Sequence, residues 1–303
     1  KQRLADLHVR PLIENWLEQS GSPGGVAALV EGDQILVLDG FGLADTGSGR
    51  PIDPNTTLFQ VAELVRPMTV TAALRLAEQG LVSLDADISG RDGLQFLELG
   101  SYGPLTLEQL FLHTSGFDHR VIASRTDAVD KIQPLATYLS RRMPTRVRPG
   151  GEVSTPSIHG YSLAGLLVEL ATGEAFSDSM DSLVFGPFAM SSSTVDPDNS
   201  RVADLATGYL RQGEIYNRVA VDYPQTTPAS FLLTTASDMA RWLQIVLSDG
   251  SLDGQPLLGS ESVTRLLSSQ FTHHPALPGR SLAFREGSQF SPPELYLAAR
   301  GGG

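Results

Sequence analysis

Apolar residues recur at helical spacing over residues 4–19, LADLHVRPLIENWLEQ, which predicts an amphipathic helix broken or offset at Pro11. After SGSPGG the period shortens. Two apolar segments in GVAALVEGDQILVLDGFGLAD flank Glu31-Gly32-Asp33, the mark of a β-hairpin. TGSGRPIDPNT reads as a loop, and a helix over roughly 64–80 is closed by Gly80. Thr106 starts a short helix, TLEQLFLH, that ends in the turn HTSGF. Helical patterns follow over 126–142 and 160–172, the second stopping at Thr172-Gly173, with the loop RPGGEVSTPS between them. Ser237-Asp238 is placed to cap DMARWLQIVLSDG, and residues 268–303 are β-like and loop-rich.

An early hairpin, helices through the middle and late strand-like segments predict an α+β protein. Its antiparallel sheet is expected to draw on both ends of the chain and to carry flanking helices. The expected division sets a sheet-containing region, 1–58 with 215–303, against a mainly helical region, 59–214, inserted between sheet segments.

Composition narrows the function classes. With 41% hydrophobic and 18% charged residues in 303, the chain has ample material for a core. A net charge of −12 is unfavourable for nucleic acid or an anionic membrane surface. The absence of cysteine excludes disulfides, thiolate metal sites and a Cys nucleophile. The longest apolar runs, such as LAGLLVELA, are too short to span a bilayer. The chain begins at Lys1 rather than Met, which raises the expectation of a removed leader.

Five separated stretches carry a resemblance: FGLADTGSGRPIDPNTTLFQVAE, LTLEQLFLHTSGF, RPGGEVSTPSIHGYSLAGLLVELATGEAF, PASFLLTTASDMARWL and FTHHPALPGRSLAFREG. In order and spacing they resemble the class C β-lactamase and penicillin-binding-protein-like serine hydrolases, from about residue 10 to the end. The resemblance implies the β-lactamase/transpeptidase-like fold, with its C-terminal part expected to be missing beyond Gly303. It also implies an exported, periplasmic or extracellular location. Family members acylate a Ser in S-x-x-K, whose Lys takes the proton. A Tyr in Y-x-N assists, and a K-T-G or H-x-G strand borders the pocket.

Matched position by position, this chain departs from all three motifs. Glu63 stands at the nucleophile and Arg66 at the base. Pro156 stands at the Tyr, Ser157 between, and Ile158 at the Asn. Arg300 in AARGGG replaces a His. A guanidinium, whose pKa exceeds 12, cannot serve as general base. A carboxylate is a poor nucleophile towards an amide or ester, and Pro156 and Ile158 offer no side-chain polar group. The usual catalytic machinery is therefore expected to be absent. Glu63, Arg66, Ser157, His159 and Arg300 are the candidate pocket-lining residues.

Three arrangements are open for Glu63, Arg66 and Arg300. They can fill the old cleft as a carboxylate between two guanidiniums. One Arg can receive a small anionic ligand. Glu63 and Arg66 can also form only a loose i, i+3 pair. Other serines, Ser115, Ser154 and Ser191 to Ser193, read as loop or structural hydroxyls, and His113 as fixing the HTSGF turn. His273-His274 are poor joint ligands, because neighbours in an extended segment point apart. DADISGRDG opens like a calcium loop but has Phe96 where a bidentate Glu is needed, so Asp85, Asp87 and Asp92 read as surface groups. No metal or cofactor is expected.

The chain is thus expected to be a degenerate family member that binds a small anionic ligand or a protein partner. The alternatives are a hydrolase of non-standard arrangement, acting through Glu63 on water, and an interaction module of a larger exported protein.

Overall fold

The computed structural model describes residues 2–198, 200–213, 215–287, 295 and 296. Helix α1, Gln2–Ser20, leads into strands β1, Gly24–Glu31, and β2, Gln34–Asp45, paired antiparallel about the expected Gly32 turn. Gly32 takes φ 57°, the left-handed value a tight hairpin asks of its turn residue. Strand β3, Arg50–Pro51, adds to the far side of β2 in the order β1-β2-β3. Strand β4, Phe59–Gln60, runs into helix α2, Val65–Glu78, through a 3-10 turn at Ala62–Leu64.

The middle of the chain is helical: α3, Leu107–Phe111; α4, Leu135–Arg142; α5, Ile158–Thr172; and α6, Phe176–Met180. A two-residue strand, β5, Arg125–Thr126, precedes α4. Then come β6, Tyr209–Gln212, β7, Ile215–Arg218, and β8, Tyr223–Pro224. Short helix α7, Thr227–Ser230, is followed by β9, Leu233–Thr234, and α8, Ala236–Leu247. The pair β10, Ser251–Leu252, and β11, Gln255–Pro256, leads to α9, Ser260–Leu267. Strands β12, Arg285–Glu286, and β13, Leu295–Tyr296, pair at the end.

The fold is the expected α+β type, a β-lactamase/transpeptidase-like arrangement of antiparallel sheet and helices. Helices α1 and α8 both pack on the β1–β2 hairpin. One detail differs from the pattern reading. Among the described residues the three-stranded sheet is built from the N-terminal segment alone. Later strands pair with one another or with mid-chain segments, β9 with β4 and β8 with β5.

Helices α2 and α5 form the centre. From Val65 to Leu76, α2 is buried on nearly every side, and so is α5 from His159 to Val168. Such all-round burial leaves polar side chains in need of partners. Thr69 donates to Pro228 O at 2.8 Å, and Thr71 to Pro67 O at 2.8 Å. The Trp242 indole of α8 donates to the Thr71 hydroxyl at 3.3 Å. Gly165 lets α5 approach α7, since a Cβ there would stand 2.2 Å from Pro228.

Three local expectations are corrected. Helix α1 runs unbroken through Pro11; docking on the sheet, with Leu17 buried and Arg10 paired to Asp39 at 2.8 Å, outweighs the local cost of about 3 kcal/mol. The helix over 126–142 shrinks to α4. Gln133, preceding Pro134, avoids the helical region and donates its backbone N–H to Gln225 Oε1 at 2.8 Å. The cap of α8 is Thr235, whose hydroxyl accepts from Asp238 N at 3.2 Å. Asp238 turns away to accept from Ser192 N and the Ser193 hydroxyl, each at 2.8 Å.

Thr235→Ala is therefore expected to lower unfolding stability by about 1 kcal/mol. Ser237→Ala should stay within about 0.5 kcal/mol. Urea denaturation of both variants checks the assignment, and equal losses would refute it.

Candidate active-site remnant

The segment entering α2 is pinned by backbone. Strand β4 pairs Phe59 with Thr234 and Gln60 with Leu233, and Val61 N donates to Leu232 O at 2.9 Å. The next residue, Ala62, is buried and held at φ 42°, a left-handed value that costs a non-glycine residue about 1–2 kcal/mol. Glu63 follows immediately, and Arg66 sits on the first turn of α2. The sequence position expected to carry the family nucleophile thus lies on this pinned turn, with a carboxylate on it.

Arg66 points inward. Its Nε donates to Ala229 O at 3.1 Å, and its guanidinium carbon lies 5.5 Å from the centre of the Tyr161 ring. The nearest Glu63 oxygen stands 3.8 Å from Nη2, beyond hydrogen-bond reach. Between these two residues only the loose i, i+3 contact forms, worth a few tenths of a kcal/mol (about 0.2–0.5). A desolvated cation over an aromatic face contributes more, about 1–2 kcal/mol. Burial lowers the Arg66 pKa, and Tyr161 and Glu63 oppose that shift. Arg300, the third member of the expected cluster, lies outside the described residues.

Behind Arg66 stands a column of buried rings. Tyr161 donates its hydroxyl to Leu282 O at 2.7 Å, and burial pushes its pKa up to about 12. It is therefore a neutral donor at physiological pH, not a base. His113 lies 5.0 Å from Tyr161, at φ 57° in the HTSG turn. Its Nδ1 accepts from Ser157 N at 3.0 Å, so the imidazole proton belongs on Nε2. Burial, aided by the nearby arginines Arg280, Arg66 and Arg285, holds its pKa well below 6.5.

The other expected residues disperse. Ser157 caps α5, its hydroxyl accepting from Gly160 N at 3.0 Å. His159 points to the α4 side, where Nε2 meets the Tyr138 hydroxyl at 3.1 Å and the two rings stack. Ser157 and His159 are both buried. Pro156 is exposed, and Ile158 is half-buried at the start of α5 against the core. Ser154 donates to Leu112 O at 2.9 Å, and Ser193 to the Asp238–Thr234 cluster. His273 accepts from Ser154 N, while His274 accepts from Ala276 N. Asp87 binds Ser89 and the backbone N–H of Leu105, pinning a loop. Among the described residues no group of His, Asp and Glu converges to hold a metal, and no helix is long and apolar enough to cross a membrane.

Sequence reading missed Tyr161, Ala229 and Leu282. Tyr161 lay in GYSLAG beside the weighed His159, but nothing local ties it to Arg66. Two cavities among the described residues lie away from Arg66. One of about 250 Å³ is lined by Ile52, Phe59, Gln60, Leu205, Thr207 and Val219. Another of about 640 Å³ opens between α1 and the β6–β7 hairpin.

The two buried imidazoles generate a pH dependence. His159 is held at about 4, by burial first and then by Arg120 and His119, and His113 is also lowered. Unfolding frees both to titrate near 6.5. Between these values the unfolded state binds more protons, so stability rises with pH. It is fully present above about pH 7 and is lost as pH falls from about 6.5 towards 4, on the order of 3 kcal/mol for His159. Urea unfolding across this range should show that slope, flattened in His159→Gln. A wild-type stability that does not change over the window would contradict it.

Comparison with known proteins agrees with this architecture. The Beta-lactamase family model matches residues 9–295. Protein flp of Staphylococcus aureus is 24% identical over 244 residues, covering 78% of this chain and 48% of flp. Protein Rv1367c of Mycobacterium tuberculosis is 26% identical over 279 residues, covering 82% of this chain and 68% of its own. The chain spans about half the length of flp. EstCE1, described as a hydrolase with promiscuous acyltransferase activity, superposes with TM-score 0.78 at 15% identity, over 94% of this chain and 83% of its own. A class C beta lactamase from Rhodobacter sphaeroides superposes with TM-score 0.70 at 24% identity, over 90% and 73%. At these identities the structural likenesses speak for the fold. The chain belongs to the Beta-lactamase family.

Proposed function

We propose that this chain is a catalytically degenerate member of its hydrolase family, acting by binding rather than by acyl transfer. The observation that carries the reading is the commitment of Arg66. The group at the base position is a guanidinium, bonded to Ala229 O and laid over Tyr161. It cannot accept a proton. Among the described neighbours, neither Tyr161 nor His113 offers a replacement base. Tyr161 is held neutral, its proton given to Leu282 O, and His113 uses Nδ1 on a backbone N–H. Ser157, the hydroxyl at the expected second motif, is buried and accepts from Gly160 N as the cap of α5. Losing one member of a catalytic unit costs roughly 10⁴-fold or more in kcat. Here the nucleophile, the base and the assisting Tyr positions are all changed.

Intact-mass spectrometry after incubation with a fluorophosphonate and with a labelled penicillin tests the reading. The mass is expected to stay unchanged, and nitrocefin and a chromogenic ester should turn over at the background rate. A covalent adduct on any hydroxyl overturns it. Turnover that disappears in Glu63→Gln would instead establish hydrolysis through that carboxylate.

A further inference from the structure

This acidic chain, net −12, gathers positive charge beside the Arg66 column. Arg66 enters from the first turn of α2. Opposite it, a tight turn closed by Ser281 N donating to Phe284 O at 3.0 Å is flanked by Arg280 and Arg285, which bridge each other antiparallel. Tyr161 joins the two sides, its hydroxyl on Leu282 O of that turn and its ring against the Arg66 guanidinium. The fields of Arg280, Arg66 and Arg285 are all felt at His113.

Arg66 has spare donors. Nε is used on Ala229 O, but neither terminal nitrogen makes a hydrogen bond within the described residues, Glu63 being 3.8 Å away. The side chain keeps 13% exposure, so solvent-borne groups can reach these nitrogens. Arg285 is exposed and Arg280 has contacts of its own, and the field of each reaches His113 beside Tyr161. Unused donors on a mostly buried cation are costly. A planar fork of donors matches an oxyanion bidentately. The N-terminal end of α2 favours negative charge at the same place.

We infer that the terminal nitrogens of Arg66, on the first turn of α2 and in the positive field of Arg285 and Arg280, form a subsite for a small oxyanion, a carboxylate or a phosphate. This rests on the reading that the cleft binds without acylating. With the terminal nitrogens of one guanidinium as its donors, the subsite suits an ion or the charged end of a ligand.

The test titrates inorganic phosphate and acetate against chloride at constant ionic strength, following thermal unfolding. A saturable rise in Tm is expected with phosphate or acetate and not with chloride. Arg66→Met should weaken the apparent affinity about tenfold or more. Arg66→Lys, which keeps the charge and loses the fork, should weaken it less. Arg285→Ala, at an exposed position that leaves the core intact, should weaken it about two- to threefold and reduce its salt dependence. Equal Tm values in all three salts overturn the inference, as does a phosphate response unchanged in the Arg66→Lys and Arg285→Ala proteins. Those two variants decide the matter if Arg66→Met does not fold. An unlabelled protein with no anion response sinks this inference alone, whereas a covalent adduct sinks the functional reading beneath it.

Discussion

One buried guanidinium organises the centre of this molecule. Arg66 leaves water on the first turn of α2 and must be met by dipoles and a ring, since a lone desolvated charge is costly. Ala229 O and Tyr161 meet it. For the carbonyl to be there, α7 must lie close to both α2 and α5. The Thr69 hydroxyl on Pro228 O and the missing side chain of Gly165 make that approach possible. Tyr161 in turn holds the 281–284 turn through Leu282 O. Arg66 is thus a tie between three segments distant in sequence.

The same arrangement shows how the backbone frame can be kept independently of the groups it carries. The left-handed Ala62, the β4–β9 pairing and the HTSG turn all keep geometry that costs energy to maintain. Strain of this kind persists where the surrounding structure over-determines it. Here the backbone ladder and the buried column maintain it whatever side chain follows. A change of side chain at Glu63 or Arg66 would alter proton affinity and nucleophilicity without removing these backbone supports. Fold and activity are separable for this physical reason.

The hydroxyls and imidazoles around the remnant illustrate how polar groups are absorbed by structure. Ser157 satisfies an orphan N–H of α5, and His113 satisfies the N–H of Ser157. His159 and Tyr138 satisfy each other. Each bond keeps a buried polar atom paired, which folded interiors require.

The sequence by itself determined the family frame, the α+β class, the β1–β2 hairpin, and the ends of α2 and α5 at Gly80 and Gly173. The class, the hairpin and the helix ends follow from local periodicity, turn residues and caps, which act over a few residues, and the family from the resemblance of five separated stretches. It also determined what the replaced groups cannot do, because the proton affinity of a guanidinium and the inertness of Pro156 and Ile158 travel with the residue. The tertiary structure alone decided the partners. It put Ala229 against Arg66 across 163 positions, turned His159 towards Tyr138, made Thr235 rather than Ser237 the cap of α8, and let α1 pass through Pro11. Such choices depend on which surfaces pack together in space, and no window of neighbouring residues contains that information.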